Sequence, residues 1–402
     1  MAGPLLGIRV LDLTQGVAGP YATKLLSDYG ADVVKIERPD GGDPTRRIGP
    51  FPADQPHPDR SGLFFELNSG KRSVTLNLAT ATGRRILQRL TADVDLVIES
   101  FRPGALARLG LDADRLEAIQ PAAALVQLSN YGQDGPYRDF ELDDLGAYAM
   151  GGVLSLTGAE GREPARIGLY APLFLAGGVL ATYTIGAVFG SRRTGRGERV
   201  DASLMEILAS SMDRGGPNLV AYQYAGALST TRSASQLRNA MPNGVFRCTD
   251  GYVSIAGQAT FFPRMARMIE RPDLATDEAF LARLDDPDFL PEVEPLLTDW
   301  LAAHTKREAM ERGQAEGLPI SALNTMEDVF NDPHLHEREF FETVPQPAVS
   351  EVLLPGLPLR MSDTPGEVRP APTLGQHTVE LLTGDLGYTK QDIAVLRQRE
   401  IV

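Results

Sequence analysis

The chain is nearly free of cysteine: Cys248 is the one cysteine among its 402 residues. A single cysteine cannot form an intramolecular disulfide, and this usage fits a reducing compartment such as the cytoplasm. Cys248 lies in the segment "GVFRCTDGYVSI", whose turn residues Asp250 and Gly251 predict a β-hairpin. We therefore interpret Cys248 as a small buried strand residue and not as a nucleophile.

Positive charge is also scarce. The sequence has 39 Lys and Arg against 53 Asp and Glu, a formal net charge of -14. Such a surface repels nucleic acids and anionic membranes, so we expect neither as a partner.

The N-terminal segment lacks the pattern of a signal peptide. The longest apolar stretch, near residues 169–190, contains proline and several glycines and predicts a buried core helix instead of a membrane span.

Several motifs of catalysis and cofactor binding are missing. The sequence has no Gly-x-Ser-x-Gly elbow, no Walker loop, and no Gly-x-Gly-x-x-Gly after its first predicted strand. His334 and His336 alternate in "NDPHLHERE", but neither a cysteine nor a well-spaced third ligand accompanies them. We therefore expect no metal site.

What the sequence does contain is a regular alternation of strands and helices in its first half. Short apolar runs such as "GIRVLDLTQ", "ADVVKIERP", "DLVIESF" and "AALVQLSNYG" alternate with amphipathic helical segments. This pattern predicts a Rossmann-like, doubly wound α/β large domain over residues 1–228. We expect a smaller α+β domain over residues 229–330. Residues 331–402 should return to the large domain and end in one helix near 375–399.

Basic side chains recur near the ends of the predicted strands. Arg38, Arg102 and Arg108 follow strands, and Lys71 with Arg72 precedes one. In the first turn, "TQGVAGPYA", Gly16 and Gly19 permit close backbone approach in front of a helix N-terminus. Because ligands of such sheets bind beyond the carboxyl ends of the strands, these features together indicate an anion site. Taken singly, each arginine is equally well explained as a solvated surface charge, and the turn as a tight turn.

These residues carry a resemblance to a known family. The matching segments, in order, are "GIRVLDLTQGVAGPYATKLLSDYGADVVKIERPDGGDPTR", "LNSGKRSVTLNL", "DLVIESFRPGALARLGL", "SNYGQDGPY", "TGRGERVDASLMEI" and "NGVFRCTDGYVSI". Together they resemble the class III CoA-transferases, a family that includes formyl-CoA, carnitine and benzylsuccinate CoA-transferases, with alpha-methylacyl-CoA racemase as a relative. The resemblance implies an interlocked dimer, with coenzyme A or acyl-CoA as substrate, a carboxylic acid as the second substrate, and no metal.

The resemblance also implies which residues contact CoA. Arg38 and Arg108 would bind its phosphates, and Phe101 would pack on the adenine end. By motif position the full set of CoA contacts would be Val17, Ala18, Arg38, Asn68, Lys71, Ser100, Phe101 and Arg108.

One position departs from the family pattern. In family transferases an Asp after "P-x-[RK]-[IV]-G" attacks the acyl-CoA thioester to form a mixed anhydride, and CoA thiolate then forms an enzyme–CoA thioester. Here the corresponding segment is "EPARIGLYAPLFLAGG", and the Asp position is occupied by Leu173. No neighbouring residue supplies a carboxylate, so we predict no catalytic residue at this position.

Three hypotheses remain open. We favour a non-nucleophilic subunit that assembles with a related, Asp-bearing chain; the chain could instead pair with itself as a homodimer. The second hypothesis is an active single-chain transferase, racemase or isomerase with a carboxylate displaced to Glu141, Asp143 or Asp144, where Asp143 takes the position of the racemase histidine. The third is a non-catalytic acyl-CoA-binding protein. Apolar and aromatic residues around Leu173 favour a hydrophobic or aromatic acyl group.

Overall fold

A computed structural model describes residues 3–158, 161–211, 215–226, 237–238, 241–257, 259–284 and 286–402. The chain divides into two compact units. The first unit comprises residues 1–158, 163–231 and 339–402, and the second comprises residues 159–162 and 232–338. The predicted domain boundary at residues 228–229 lies outside the described residues.

The first unit is built on a six-stranded parallel sheet of order β3-β2-β1-β4-β5-β6. Leu11 in the central strand β1 pairs with Val34 on one side and Val97 on the other. This sheet confirms the predicted mixed α/β class with parallel strands. Its strands are β1 (Arg9–Leu13), β2 (Asp32–Glu37), β3 (Arg72–Thr75), β4 (Leu96–Glu99), β5 (Ala124–Ser129) and β6 (Arg199–Ser203).

Helices cover both faces of this sheet, and each face carries a hydrophobic core. Helix α4 is only one turn long, because left-handed glycines at 104 and 110 bracket it. The helices of this part are α1 (Ala18–Asp28), α2 (Gly62–Asn68), α3 (Ala81–Leu90), α4 (Ala105–Arg108), α5 (Ala113–Ile119), α6 (Asp144–Met150), α7 (Ala171–Thr194), α8 (Leu204–Ser211) and α9 (Gly215–Ala225).

The second unit combines a four-stranded sheet, of order β10-β9-β8-β7, with six helices in its described part. Strands β8 and β9 form the predicted antiparallel hairpin, with Asp250 and Gly251 in the turn, and Cys248 is buried as expected. The elements are β7 (Leu237–Arg238), β8 (Met241–Arg247), β9 (Tyr252–Ala256), α10 (Phe262–Met268), α11 (Glu278–Leu281), α12 (Leu290–Ala302), α13 (Lys306–Ala315), β10 (Ile320–Ala322), α14 (Met326–Phe330) and α15 (Pro333–Glu337).

The C-terminal segment belongs to the first unit. It contains the antiparallel pair β11 (Phe341–Pro345) and β12 (Glu351–Pro355), then α16 (Thr378–Gly384) and α17 (Lys390–Gln398). The prediction of one helix over residues 375–399 is therefore wrong. Gly387, at φ +69°, interrupts the helix, and a capping box at Thr389 starts α17.

Helix α7 is the apolar helix expected from residues 169–190. By length and composition it would suffice to cross a membrane, a property that it shares with core helices of soluble proteins. It packs along α1 so closely that a Cβ added at Gly177 would lie 2.6 Å from the carbonyl oxygen of Ala18. This contact holds the N-terminal turn of α7 beside the N-terminal turn of α1.

Candidate functional site

A cavity of about 330 Å³ opens at the carboxyl ends of the parallel strands. In the strand order β3-β2-β1-β4-β5-β6, the direction of winding reverses between β1 and β4. This reversal is where ligands bind in open α/β sheets. The loops after β1, β4 and β5 all contribute to the cavity lining, together with α7 and the start of α8.

The turn between β1 and α1 forms one side of the cavity. Gly16 adopts a left-handed conformation, at φ +78°, and Gly19 packs so tightly that an added Cβ would lie 2.4 Å from Cβ of Thr14. The backbone N–H of Gln15 donates to Ser100 Oγ at 2.9 Å, which joins this turn to the loop after β4. The turn ends at the N-terminus of α1, whose first N–H groups have no partner within the helix.

A buried ionic network fixes this turn from beneath. Asp12 accepts hydrogen bonds from the N–H and hydroxyl of Thr14, from the hydroxyl of Thr23 and from Lys71 Nζ, while Lys35 Nζ donates to the carbonyl of Thr14 at 2.8 Å. Burial raises the pKa of Asp12, but Lys71 and Lys35 outweigh it and bring the pKa to about 2. Burial lowers the pKa of Lys71 to about 8 against the attraction of Asp12. Both groups are therefore charged at neutral pH.

Leu173, in the first turn of α7, lines the same cavity and is half-buried. The next residue, Phe174, packs edge-on against Tyr21 of α1, with ring centroids 4.8 Å apart. The side chain at position 173 is thus held at the cavity wall by the α1–α7 contact. A leucine there offers hydrocarbon to a ligand and no group that could be acylated.

Charged residues line the cavity rim, and negative charges outnumber positive ones. Two arginines, Arg102 and Arg138, lie among four carboxylates. Arg102 is paired with Glu141. The carboxylates of the rim are Asp139, Glu141, Asp143 and Asp144. The rim alone therefore repels anions.

The structure separates the eight expected CoA contacts into three groups. Four of them line the cavity: Val17, Ala18, Ser100 and Phe101. Arg38 and Arg108 are exposed and do not line the cavity; 70% of the Arg38 side chain is accessible to solvent, and it lies 4.0 Å from Asp40. Both arginines remain accessible to an anionic group outside the cavity.

Asn68 and Lys71 lie elsewhere, in the protein interior. The three N–H protons of Lys71 Nζ are matched by three acceptors, namely Asp12 Oδ2 at 3.1 Å, the carbonyl of Pro20 at 2.8 Å and Asn68 Oδ1 at 2.9 Å. Asn68 Nδ2 also donates to the carbonyl of Phe64. Because these side chains are buried and hydrogen-bonded internally, they support the fold at this point, and their contact with CoA stays a prediction.

Two polar residues at the strand ends escaped the sequence analysis. Glu99 ends β4, and burial raises its pKa to about 7 against hydrogen bonds donated by Gln127 Nε2 and the N–H of Phe101. Ser129 ends β5 and lines the cavity. The rule that places ligands at the carboxyl ends of strands could have identified both residues.

In the described part of the chain, no three His, Cys, Asp or Glu side chains are grouped so as to hold a metal ion. His336 Nε2 instead lies 2.8 Å from the carbonyl of Phe330 in the second unit.

Comparison with known proteins agrees with this architecture. The model of CoA-transferase family III matches residues 5–378. The chain is 33% identical to succinyl-CoA–D-citramalate CoA-transferase of Chloroflexus aurantiacus, over 99% of this chain and 98% of the relative. It is 35% identical to the succinyl-CoA–L-malate CoA-transferase alpha subunit of the same species, over 99% of this chain and 92% of the relative.

A solved structure extends the likeness to the fold. A CAIB/BAIF family protein from Brucella suis superposes with a TM-score of 0.82 at 29% sequence identity, covering 96% of this chain and 100% of that one. The family match and the relatives both span almost the entire chain. The chain belongs to CoA-transferase family III.

Proposed function

We propose that this chain binds acyl-CoA and serves as the non-nucleophilic subunit of a heteromeric CoA-transferase that moves CoA between carboxylic acids in the cytoplasm. Its partner would be a related chain that carries the catalytic Asp. One similar protein is named as the alpha subunit of a succinyl-CoA–L-malate CoA-transferase, which supports assembly from different chains.

The observation that carries this proposal is Leu173 at the wall of the cavity described above. We call it the switch-point cavity, because it lies where the winding of the sheet reverses between β1 and β4. The family reaction needs a carboxylate whose oxygen attacks the thioester carbonyl while CoA thiolate leaves. The thiolate then attacks the carboxylate carbon of the resulting anhydride and releases the acyl group as a carboxylate. Leucine has neither the attacking oxygen nor an acyl carbon for the thioester. In this proposal the nucleophile comes from the related, Asp-bearing chain.

The charge distribution supports a divided CoA site. The cavity rim repels anions, and its volume of about 330 Å³ is too small for a nucleotide together with a pantetheine arm. The phosphates would therefore bind the exposed Arg38 and Arg108 outside the cavity. The thioester end would enter the cavity beside Leu173 and Phe140, whose apolar side chains suit a hydrophobic or aromatic acyl group.

A second candidate function is supported by the same cavity. The three acidic residues considered for a displaced nucleophile, Glu141, Asp143 and Asp144, all line it together with Leu173. Two of them already have structural partners: Glu141 pairs with Arg102, and Asp143 caps α6 through the N–H of Gly146. Asp144 is then the first residue to examine if the isolated chain proves active.

Exposed aromatic residues support association with another chain. Tyr183 and Phe189 on α7, and Tyr222 and Tyr224 on α9, are all largely exposed. A second cavity, of about 550 Å³, lies along α7 beside β6 and α8. Exposed apolar surface of this kind commonly marks a protein interface. We propose that it is covered in the interlocked dimer that the family resemblance implies.

Calorimetric titration with CoA tests the binding proposal. Arg38→Ala and Arg108→Ala should each weaken CoA binding by about 1–3 kcal/mol, the range for hydrogen bonds to charged groups. Arg85→Ala is the matched control, because Arg85 is an exposed arginine of α3 that does not line the cavity. If both variants bind CoA as tightly as the wild type and the control do, the phosphate site is wrong.

A further inference from the structure

Ser129 has a buried hydroxyl for which the fold supplies no function. The residue is 7% exposed, and among the residues that the structure describes its Oγ has no hydrogen-bond partner. Leaving a buried hydroxyl without a hydrogen-bond partner destabilises the folded protein, because the group has lost its hydrogen bonds to water. A serine that remains in place despite this cost is a candidate for binding a ligand.

The position of Ser129 gives that ligand a location. Ser129 is the last residue of β5 and lines the switch-point cavity together with Val17, Ala18 and Gly19. The latter residues form the N-terminus of α1, an 11-residue helix whose N-cap, Val17, makes no side-chain cap and whose first turn contains no acid. Free N–H groups and the positive end of the helix dipole therefore line the same cavity as an unpaired hydroxyl.

We propose that Ser129 donates a hydrogen bond to the acyl carbonyl oxygen of the bound thioester, beside the N-terminus of α1. This inference rests on the proposed acyl-CoA function. A neutral carbonyl suits the cavity better than a free carboxylate, since the rim already holds four carboxylates against two arginines. A carbonyl oxygen has two lone pairs and accepts from a hydroxyl and from an amide together.

The same assignment explains the neighbouring Leu173. A thioester oriented by donors at its oxygen turns its carbonyl carbon towards an attacking group, and the wall at position 173 provides no such group. The chain would thus hold the acyl group in a defined orientation without acylation. Ser129 is accordingly a positioning residue for an attack made by another carboxylate.

The experiment compares ligands that differ at the carbonyl alone. Butyryl-CoA carries the thioester oxygen, whereas S-butyl-CoA is a thioether of the same chain length without it. The wild-type full chain should bind butyryl-CoA more tightly than S-butyl-CoA. In Ser129→Ala this preference should fall by about 2- to 12-fold, the loss expected for one hydrogen bond, while the affinity for S-butyl-CoA stays unchanged.

Thermal unfolding adds a readout that a merely structural serine would not give. Ser129→Ala should melt at the wild-type temperature or above it, because it removes an unpaired buried hydroxyl. Ser129→Thr, which keeps a hydroxyl, should retain part of the preference. Ser155→Ala is the control, since Ser155 is exposed, donates to the carbonyl of Gly152 and does not line the cavity.

The outcomes separate this inference from the proposed function. If the wild type binds neither CoA nor its two derivatives, the acyl-CoA function fails and takes the assignment of Ser129 with it. If CoA binds, but the wild type and Ser129→Ala show the same preference between the two derivatives, the role of Ser129 is refuted and the CoA function stands.

Discussion

Replacing Lys71 by methionine should destabilise the folded chain. Its main effect should be on stability and not on the affinity for CoA. Lys71 is 2% exposed, and its ammonium group donates to Asp12, to the carbonyl of Pro20 and to Asn68. Methionine has a similar length but no charge and no donor. The substitution leaves the carboxylate of Asp12 buried with one ammonium fewer, and it removes one donor each from the carbonyl of Pro20 and from Asn68 Oδ1.

The magnitude follows from these lost contacts. Removing one partner of a buried ion pair destabilises proteins by about 3–5 kcal/mol. Lys35 compensates part of the charge of Asp12, since it is the second ammonium that lowers the pKa of that carboxyl. We therefore expect Lys71→Met to lower the free energy of unfolding at pH 7 by about 3 kcal/mol, the lower end of this range. Urea denaturation followed by circular dichroism measures this change directly.

Arg38→Ala provides the matched comparison. Arg38 is exposed and makes a single long contact with Asp40, so its removal should change stability by less than about 0.5 kcal/mol and weaken CoA binding. Lys71→Met should show the opposite pattern. The reasoning is refuted if Lys71→Met unfolds at the wild-type urea concentration and yet loses CoA affinity, because Lys71 would then be a ligand contact and not a structural residue.

Three further predictions concern packing, pH and assembly. Gly177→Ala should lower the free energy of unfolding by about 1–3 kcal/mol, because its Cβ would meet the carbonyl of Ala18 at 2.6 Å. Gly178→Ala should be neutral or stabilising, because an added Cβ there meets nothing within 4 Å. Equal stabilities of the two variants in urea would contradict this prediction. Burial raises the pKa of Glu99 from 4.5 to about 7, so its stabilising contribution is full below about pH 4.5 and is lost as the pH rises through 7. Relative to Glu99→Gln, which does not titrate, the wild type should lose about 3 kcal/mol of unfolding free energy between pH 4.5 and pH 7. If urea denaturation shows the same stability difference between the two proteins at both pH values, this prediction is refuted. In sedimentation, we expect no stable folded monomer, because the two chains of an interlocked dimer fold together. A well-folded species of 43.5 kDa would contradict the proposed interlocked dimer.

Four strands of the first unit, β1, β2, β4 and β5, were predictable because each has a clear local pattern, whereas β6 (Arg199–Ser203) was not predicted. Apolar runs such as "VVKI" within β2 are typical of strands buried on both faces, and their alternation with helices requires parallel crossovers. The C-terminal helices were harder to predict. The apolar residues of segment 375–399 suggest one helix, and the break depends on Gly387 taking a left-handed conformation that a glycine permits but does not require.

The candidate site was predictable in position but not in detail. Four of the eight expected contacts line the cavity, and all four follow a strand directly or begin the next helix. Lys71 was a natural candidate because sequence alone cannot distinguish a solvated lysine from one that is buried against a carboxylate 59 residues away. Ser129 was missed for a related reason: a strand-end serine becomes informative only when its hydroxyl is seen to be buried and unpaired.

The most direct test of the central claim is to trap the acyl-enzyme. The purified chain is incubated with butyryl-CoA and hydroxylamine, alone and with a related chain that carries Asp at the position of Leu173, and peptides are mapped by mass spectrometry. We predict no hydroxamate on this chain in either sample, and a hydroxamate on the Asp of the partner. A hydroxamate on Glu141, Asp143 or Asp144 of the isolated chain, together with CoA exchange at an ordinary turnover of about 1–1000 per second, would contradict the account.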